Sequence, residues 1–141
     1  MITTLDTNII VGVLEGEEKL ADRLAAILDR LADQGALLIT PVVYAELLAA
    51  PSRSPALVDA FLAQTPVQVD WFLEEAVWRA AGLAYRTYAQ RRQAETAEVT
   101  VRRILADFVI GAHAVQRQAT LLTWDEDIYH TYFPALVTVA P

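Results

Sequence analysis

Short apolar runs of strand length alternate with longer amphipathic runs along this chain, and few architectures accept that pattern. Met1–Leu5, Ala36–Ile39, Val67–Val69 and Ala119–Leu122 read as strands, with Leu136–Val139 as a last one. Between them, Leu20, Leu24, Ile27, Leu28 and Leu31 recur at helical spacing from Glu17 to Asp33, and Gly35 ends that segment. Thr40-Pro41 supplies an N-cap and a first-turn proline for a helix reaching Ala50, and further helices are expected over Ala56–Gln64, Phe72–Arg92 and Ile104–Arg117. Asn8 is expected to cap a helix directly after the first strand, and Gln93–Thr100, lacking a period, reads as a loop. Strands alternating with helices imply an α/β fold: a central parallel β-sheet of four to five strands flanked by helices on both faces. With 141 residues, the chain is expected to form a single domain over 1–141.

Charge and composition then remove function classes. A formal net charge of −7 argues against binding nucleic acid through a broad basic face, so any phosphate-bearing substrate needs positive charge from elsewhere, for which bound metal ions are the obvious source. Absence of cysteine excludes disulfides, thiolate metal sites and cysteine nucleophiles together. The longest apolar run, Ala36–Pro51, is broken by Pro41 and Glu46 and falls short of a membrane span, and no secretory leader is visible, so a cytoplasmic protein without membrane association is expected. The hydrophobic share of 55% exceeds that of most soluble domains and favours a covered apolar surface, such as a homodimer interface.

In parallel sheets, sites form at the carboxyl ends of the strands, so the acids there carry the chemistry. Asp6 follows the first strand, and Asp125 follows the Ala119–Leu122 strand after Thr123 and Trp124. Glu46 and Asp107 lie early in helices and have almost wholly apolar neighbours. Two carboxylates about 4 Å apart repel by roughly 4 kcal/mol at an effective dielectric of 20, a penalty that a shared divalent cation reverses. Oxygen ligands without histidine or cysteine suit Mg2+ or Mn2+ rather than zinc. Each acid also has an ordinary structural use: aspartate after a strand is a common cap or turn former, and Asp107 suits the dipole of a first helical turn.

Other features are less specific. Arg86, Arg91, Arg92, Arg102 and Arg103 form a local basic region around the expected loop, fit either to guide a phosphate-bearing substrate or to solvate a helix end. His113, six positions after Asp107, falls on a different helix face and reads as a core or surface histidine, and His130 carries no stronger signal. Trp71, Trp78, Tyr85 and Tyr88 have spacing suited to a core or to a dimer interface, with the core as the default. A phosphoacceptor domain needs a late lysine, whereas Lys19 is the sole lysine; a nucleotide-binding fold needs a glycine-rich loop, which Gly12 and Gly16 do not form.

Four segments in order, Leu5-Asp6-Thr7-Asn8, Thr40-Pro41-Val42-Val43-Tyr44-Ala45-Glu46-Leu47, Ala106-Asp107-Phe108-Val109-Ile110-Gly111-Ala112-His113-Ala114 and Leu121-Leu122-Thr123-Trp124-Asp125-Glu126-Asp127-Ile128-Tyr129, resemble the acidic blocks of the PIN-domain family, above all its VapC-type toxin ribonucleases. The resemblance covers nearly the whole chain and implies a PIN-like three-layer sandwich. It further implies that Asp6, Glu46, Asp107 and Asp125 are the catalytic, metal-binding carboxylates, that Asn8 and Thr123 orient them, and that Asp127 is an auxiliary acid. The implied activity is a divalent-metal-dependent endoribonuclease hydrolysing RNA phosphodiesters with metal-activated water, as the toxin of a toxin–antitoxin pair with a cognate antitoxin protein. Trp124 departs from the basic residue frequent in this block; it suits stacking on a base or packing on the neighbouring strand. Together with Arg91, Arg92, Arg102 and Arg103 it makes up the expected nucleic-acid contacts. The four acids do not separate a toxin from a housekeeping RNA-processing or DNA-directed nuclease, or from a non-catalytic metal- or protein-binding module of the same fold.

Overall fold

The computed structural model describes residues 1–94 and 103–141. Five strands, β1 (Ile2–Leu5), β2 (Ala36–Ile39), β3 (Val67–Val69), β4 (Thr120–Leu122) and β5 (Val137–Val139), form one sheet in the order β3-β2-β1-β4-β5, with every pairing parallel. Seven helices flank it among the described residues: α1 (Thr7–Glu15), α2 (Glu18–Ala32), α3 (Pro41–Ala49), α4 (Pro55–Gln64), α5 (Glu75–Ala94), α6 (Leu105–Gln116) and α7 (Glu126–Tyr132). The expected parallel α/β sheet is present with five strands, the upper of the expected numbers.

Several elements follow directly from local chemistry. The Thr40 hydroxyl accepts from the Val43 N–H at 3.2 Å and Ser54 does the same for Leu57, each followed by proline at the first helical position. α2 ends at Ala32 with Asp33 at its C-cap, and Gly35 lets β2 come alongside β1: the Ala36 N–H donates to the Met1 carbonyl at 3.1 Å, and a Cβ on Gly35 would stand 1.8 Å from that oxygen.

Three sequence expectations change. Asp6, not Asn8, occupies the N-cap position of α1, and Asn8 lies inside the helix with its amide turned to other work. The long helix starts at Glu75 rather than Phe72, which leaves Trp71 and Phe72 in the connection after β3, and its end at Ala94 takes in Gln93; the rest of the expected loop, 95–100, lies outside the described residues. Tyr85 and Tyr88 join Phe108 and Tyr132 in one aromatic cluster, as a core assignment requires. Trp71 and Trp78 do not: they are 64% and 48% exposed.

The topology fixes where a site can form. The chain runs outward from β1 through β2 to β3, then returns to the opposite side of β1 as β4. This reversal opens a crevice beyond the carboxyl ends of β1 and β4, the position at which open α/β sheets bind their ligands. Asp6 follows β1 there and Thr123 follows β4, and the Asp6 N–H donates to the Leu122 carbonyl at 3.1 Å.

Candidate active site

Asp6 is the floor of this crevice and is only 6% exposed. Its Oδ2 accepts from the Thr123 hydroxyl at 2.7 Å, from the Tyr129 hydroxyl at 3.0 Å and from the Asn8 amide at 3.3 Å. Asn8 also contacts Thr123 Oγ1, and its own Oδ1 accepts from the Trp124 N–H, while the Asp125 N–H donates to Thr123 Oγ1 at 3.0 Å. One hydrogen-bonded frame thus joins the end of β1 to the segment after β4. Burial raises the Asp6 carboxyl above its ordinary value despite the hydroxyls of Thr123 and Tyr129, and Asp125 raises it further.

Glu46 reaches the crevice from the second turn of α3. Its Oε1 accepts from the Thr7 hydroxyl at 2.7 Å, which links it to the first residue of α1. The buried Arg53 holds the far end of α3: Nη2 and Nε donate to the carbonyls of Glu46 and Leu47, and Nη1 pairs with Glu15 of α1 at 3.0 Å. The helix bearing Glu46 is therefore tied to α1 at both ends.

Asp107 stands at the third position of α6, where its Oδ2 accepts from the Ile104 N–H at 3.2 Å, one half of a capping box. From Phe108 to Ala114 the helix is buried, which explains why this acid has so apolar a sequence context. Burial pushes the Asp107 carboxyl up to about 6; the bond from Ile104 and the charge of Arg103 oppose the rise, and Asp6 and Glu46 add to it. Asp107 therefore feels both other acids across the crevice. Tyr129 feels Asp6, Asp107 and Asp125 as well; burial first, then these charges, drive its phenol far above the ordinary value, so it remains a protonated donor to Asp6.

Asp125 precedes α7 and is held by a cation. Arg103 Nη2 donates to its Oδ1 at 3.2 Å while Nη1 contacts Oδ2. Asp127 is exposed on the first turn of α7, and no side-chain hydrogen bond among the described residues connects it to the other acids. Among the described residues, no three acid or histidine side chains converge closely enough to hold an ion as the chain stands. The donor set nonetheless fits a hard divalent cation in chemistry: mutually repelling carboxylates, partly or wholly buried, with neutral hydroxyls and an amide holding the deepest of them.

The basic residues occupy one flank. Arg91 lies with its guanidinium carbon 5.2 Å from the centre of the Tyr132 ring, and Arg92 lies 5.7 Å from that of Tyr88 and also donates to its hydroxyl. Arg103 is joined to the same tyrosine by its main-chain N–H, at 2.7 Å. Arg86 is exposed, and Arg102 lies outside the described residues. Trp124 is 43% exposed beside Asp125 and, among the described residues, stacks on no other aromatic ring.

His113 is buried on α6, with Nε2 2.9 Å from Asp70 Oδ2; Asp70 follows β3 and also accepts from Arg117 Nε at 2.6 Å. His130 meets Thr138 through Nε2 at 2.7 Å on the surface. Neither histidine joins the acidic crevice. The sequence reading overlooked Tyr129, Thr7 and Arg53 as positioning residues. Tyr129 had a signal: it falls one helical turn after Asp125, so a helix starting there turns both toward the same side. Thr7 and Arg53 had none, since their partners lie 39 and 7 residues away and are met only after folding.

A family model described as the PIN domain matches residues 3–134. Among solved structures, a chain of VapBC2 from Rickettsia felis, a complex bound to a DNA fragment from its promoter, superposes with a TM-score of 0.72 at 24% identity, covering 99% of this chain and 98% of that one. VapBC-1 from nontypeable Haemophilus influenzae gives 0.66 at 21% identity, with 99% and 98% covered, and FitAcB from Neisseria gonorrhoeae 0.62 at 22%, with 98% and 96% covered. No curated protein sequence matches. With a switch-point crevice built from the acids of four separate segments and a family match over nearly its whole length, this chain belongs to the PIN-domain family of nucleases.

Proposed function

We propose that the protein is a divalent-metal-dependent endoribonuclease acting as the toxin of a toxin–antitoxin pair. The observation that carries this reading is the buried Asp6 carboxylate, held by Thr123, Tyr129 and Asn8 in the crevice that Glu46 and Asp107 share electrostatically. Asp6, Glu46, Asp107 and Asp125 would hold Mg2+ or Mn2+. When bound, the cation supplies an activated water nucleophile and stabilises the leaving oxygen of the phosphodiester.

The chain's own residues supply orientation. Three donors fix Oδ2 of Asp6, and Thr7 likewise fixes Oε1 of Glu46. Because Tyr129 keeps its proton, it lends a hydrogen bond without adding negative charge. Arg91 and Arg92 form a basic flank for the RNA backbone, and Trp124 offers a face for an unpaired base.

Similarity to VapBC and FitAcB chains over nearly their full lengths supports the toxin reading and, with it, a protein antitoxin. The exposed Trp71, Phe72 and Trp78 are apolar surface suited to such a partner or to a second copy. No helix among the described residues is long and apolar enough to cross a membrane, which is compatible with cytoplasmic action.

The test is cleavage of pooled RNA with Mg2+ or Mn2+, comparing the natural protein with a folded Asp6→Asn variant and with single- and double-stranded DNA as rival substrates. Metal-dependent RNA cleavage lost in the variant supports the reading. Preferential DNA cleavage moves it to a DNA-directed nuclease, and metal binding without cleavage of any substrate moves it to a binding module.

A further inference from the structure

The acidic crevice already contains a cation of its own. Arg103 lies just before α6, where its main-chain N–H is tied to the Tyr88 hydroxyl. Tyr88 is buried among Tyr85, Phe108 and Tyr132, so the base of the arginine is fixed to a rigid cluster. From that anchor the guanidinium meets both oxygens of Asp125 in the fork-to-fork arrangement that arginine and carboxylate favour.

Such pairing uses the oxygens a metal would need. A carboxylate engaged at both oxygens is a poor ligand until the guanidinium leaves, and this pairing accompanies the lack of convergence among the acids. Departure is not blocked by burial: the Arg103 and Asp125 side chains are 22% and 37% exposed, so water and ions reach the pair. A divalent cation carries twice the charge of the guanidinium to the same oxygens. The displaced side chain stays tethered at Tyr88, next to Arg91 and Arg92, where a phosphodiester would lie.

Resting on the proposed metal-dependent reading, we infer that Arg103 is an internal counter-ion that competes with the divalent cation for Asp125 and, once displaced, binds the RNA phosphate. Metal binding and RNA binding are thereby coupled through one side chain. Arg103 is a positioning residue in the metal-free protein and a substrate contact in the metal-bound one.

The experiment is calorimetric titration of Mn2+ into the natural protein and the Arg103→Gln, Arg103→Lys and Asp6→Asn variants, with melting curves to establish folding. RNA affinity is then read by anisotropy of a labelled single-stranded RNA, with and without Ca2+, gels showing that the RNA stays uncut. Arg103→Gln should bind Mn2+ about fivefold tighter, the size expected for removing a partly exposed ion-pair competitor. The same variant should lose RNA affinity in Ca2+ and change little without it, and Arg103→Lys should fall between. Equal or weaker Mn2+ binding by folded Arg103→Gln and Arg103→Lys overturns the inference. If the natural protein binds Mn2+, Asp6→Asn does not, and the Arg103 variants match the natural protein, the counter-ion fails while the metal site stands. If the natural protein binds no Mn2+, both fall.

Discussion

Two aspartates that follow strands of the same sheet have opposite fates. Asp6, after β1, accepts three hydrogen bonds from neutral groups, yet burial leaves its carboxyl above the ordinary value. Asp70, after β3, is pushed up by burial too, but the hydrogen bonds and charge of Arg117 and the bond from His113 outweigh that push and hold it below the ordinary value. Buried and desolvated, His113 is held below its own ordinary value, so its ring is neutral and its Nε2 hydrogen bonds to Asp70. The Asp70 cluster is complete because it holds its counter-charge. Among the described residues the Asp6 crevice is short of positive charge: four acids stand there, and Arg103 opposes two of them, Asp125 and Asp107. A deficit of that kind costs stability in the metal-free protein and is what a site for cations requires.

The contrast is broken most severely by Asp6→Asn. Metal-dependent cleavage should fall by more than about a hundredfold, beyond the range seen when only a residue behind a metal ligand is removed, while the melting temperature holds or rises. Unchanged cleavage in the folded variant would remove Asp6 from the chemistry.

At the other cluster, Asp70→Asn should destabilise by about 2 kcal/mol, since the hydrogen bonds from His113 and Arg117 both lose the carboxylate's charge although an amide oxygen remains. Cleavage per folded molecule should be untouched, which a denaturant titration beside an activity assay will check. Asp70 stabilises the protein above the ordinary carboxyl value of 3.8, and that stabilisation disappears as pH falls through its lower folded value. The natural protein should therefore lose its advantage over Asp70→Asn in strong acid.

Tyr129→Phe keeps the ring and removes one of the donors to Asp6. About a tenfold loss of Mn2+ affinity or cleavage is expected, with little change in stability, and a cleavage rate equal to that of the natural protein would show the hydroxyl to be dispensable.

The smallest effect sharpens the comparison by its sign. The Asp107 carboxyl is raised to about 6, so its contribution to stability is whole below 3.8 and is lost as pH climbs through the folded value. In the absence of divalent metal at pH 7, Asp107→Asn should be more stable than the natural protein by about 1 kcal/mol, a figure discounted for solvent screening of a partly exposed group. Melting curves across pH should converge below 3.8, and Mn2+ should reverse the order at pH 7. A less stable Asp107→Asn under metal-free conditions would mean that the bond to Ile104 outweighs the repulsion.

Local pattern determined much of this protein. Alternating strand and helix periods fix a parallel sheet because helical crossovers are what join parallel strands. Thr40-Pro41 and Ser54-Pro55 fix two helix starts through bonds that span only three residues. The carboxyl-edge rule then singles out Asp6 and Asp125, and their apolar sequence neighbours single out Glu46 and Asp107. Tertiary structure alone decided which neighbours those acids meet. Thr123 and Tyr129 come to Asp6 across 117 and 123 residues, and Arg103 comes to Asp125 across 22. It also decided that Trp71 and Trp78 stay in water while Tyr85 and Tyr88 are packed, although all four are aromatic. Periodicity records which side of an element is apolar; hydrogen bonds and ion pairs between distant segments depend on the register in which those elements pack, and no local spacing encodes that.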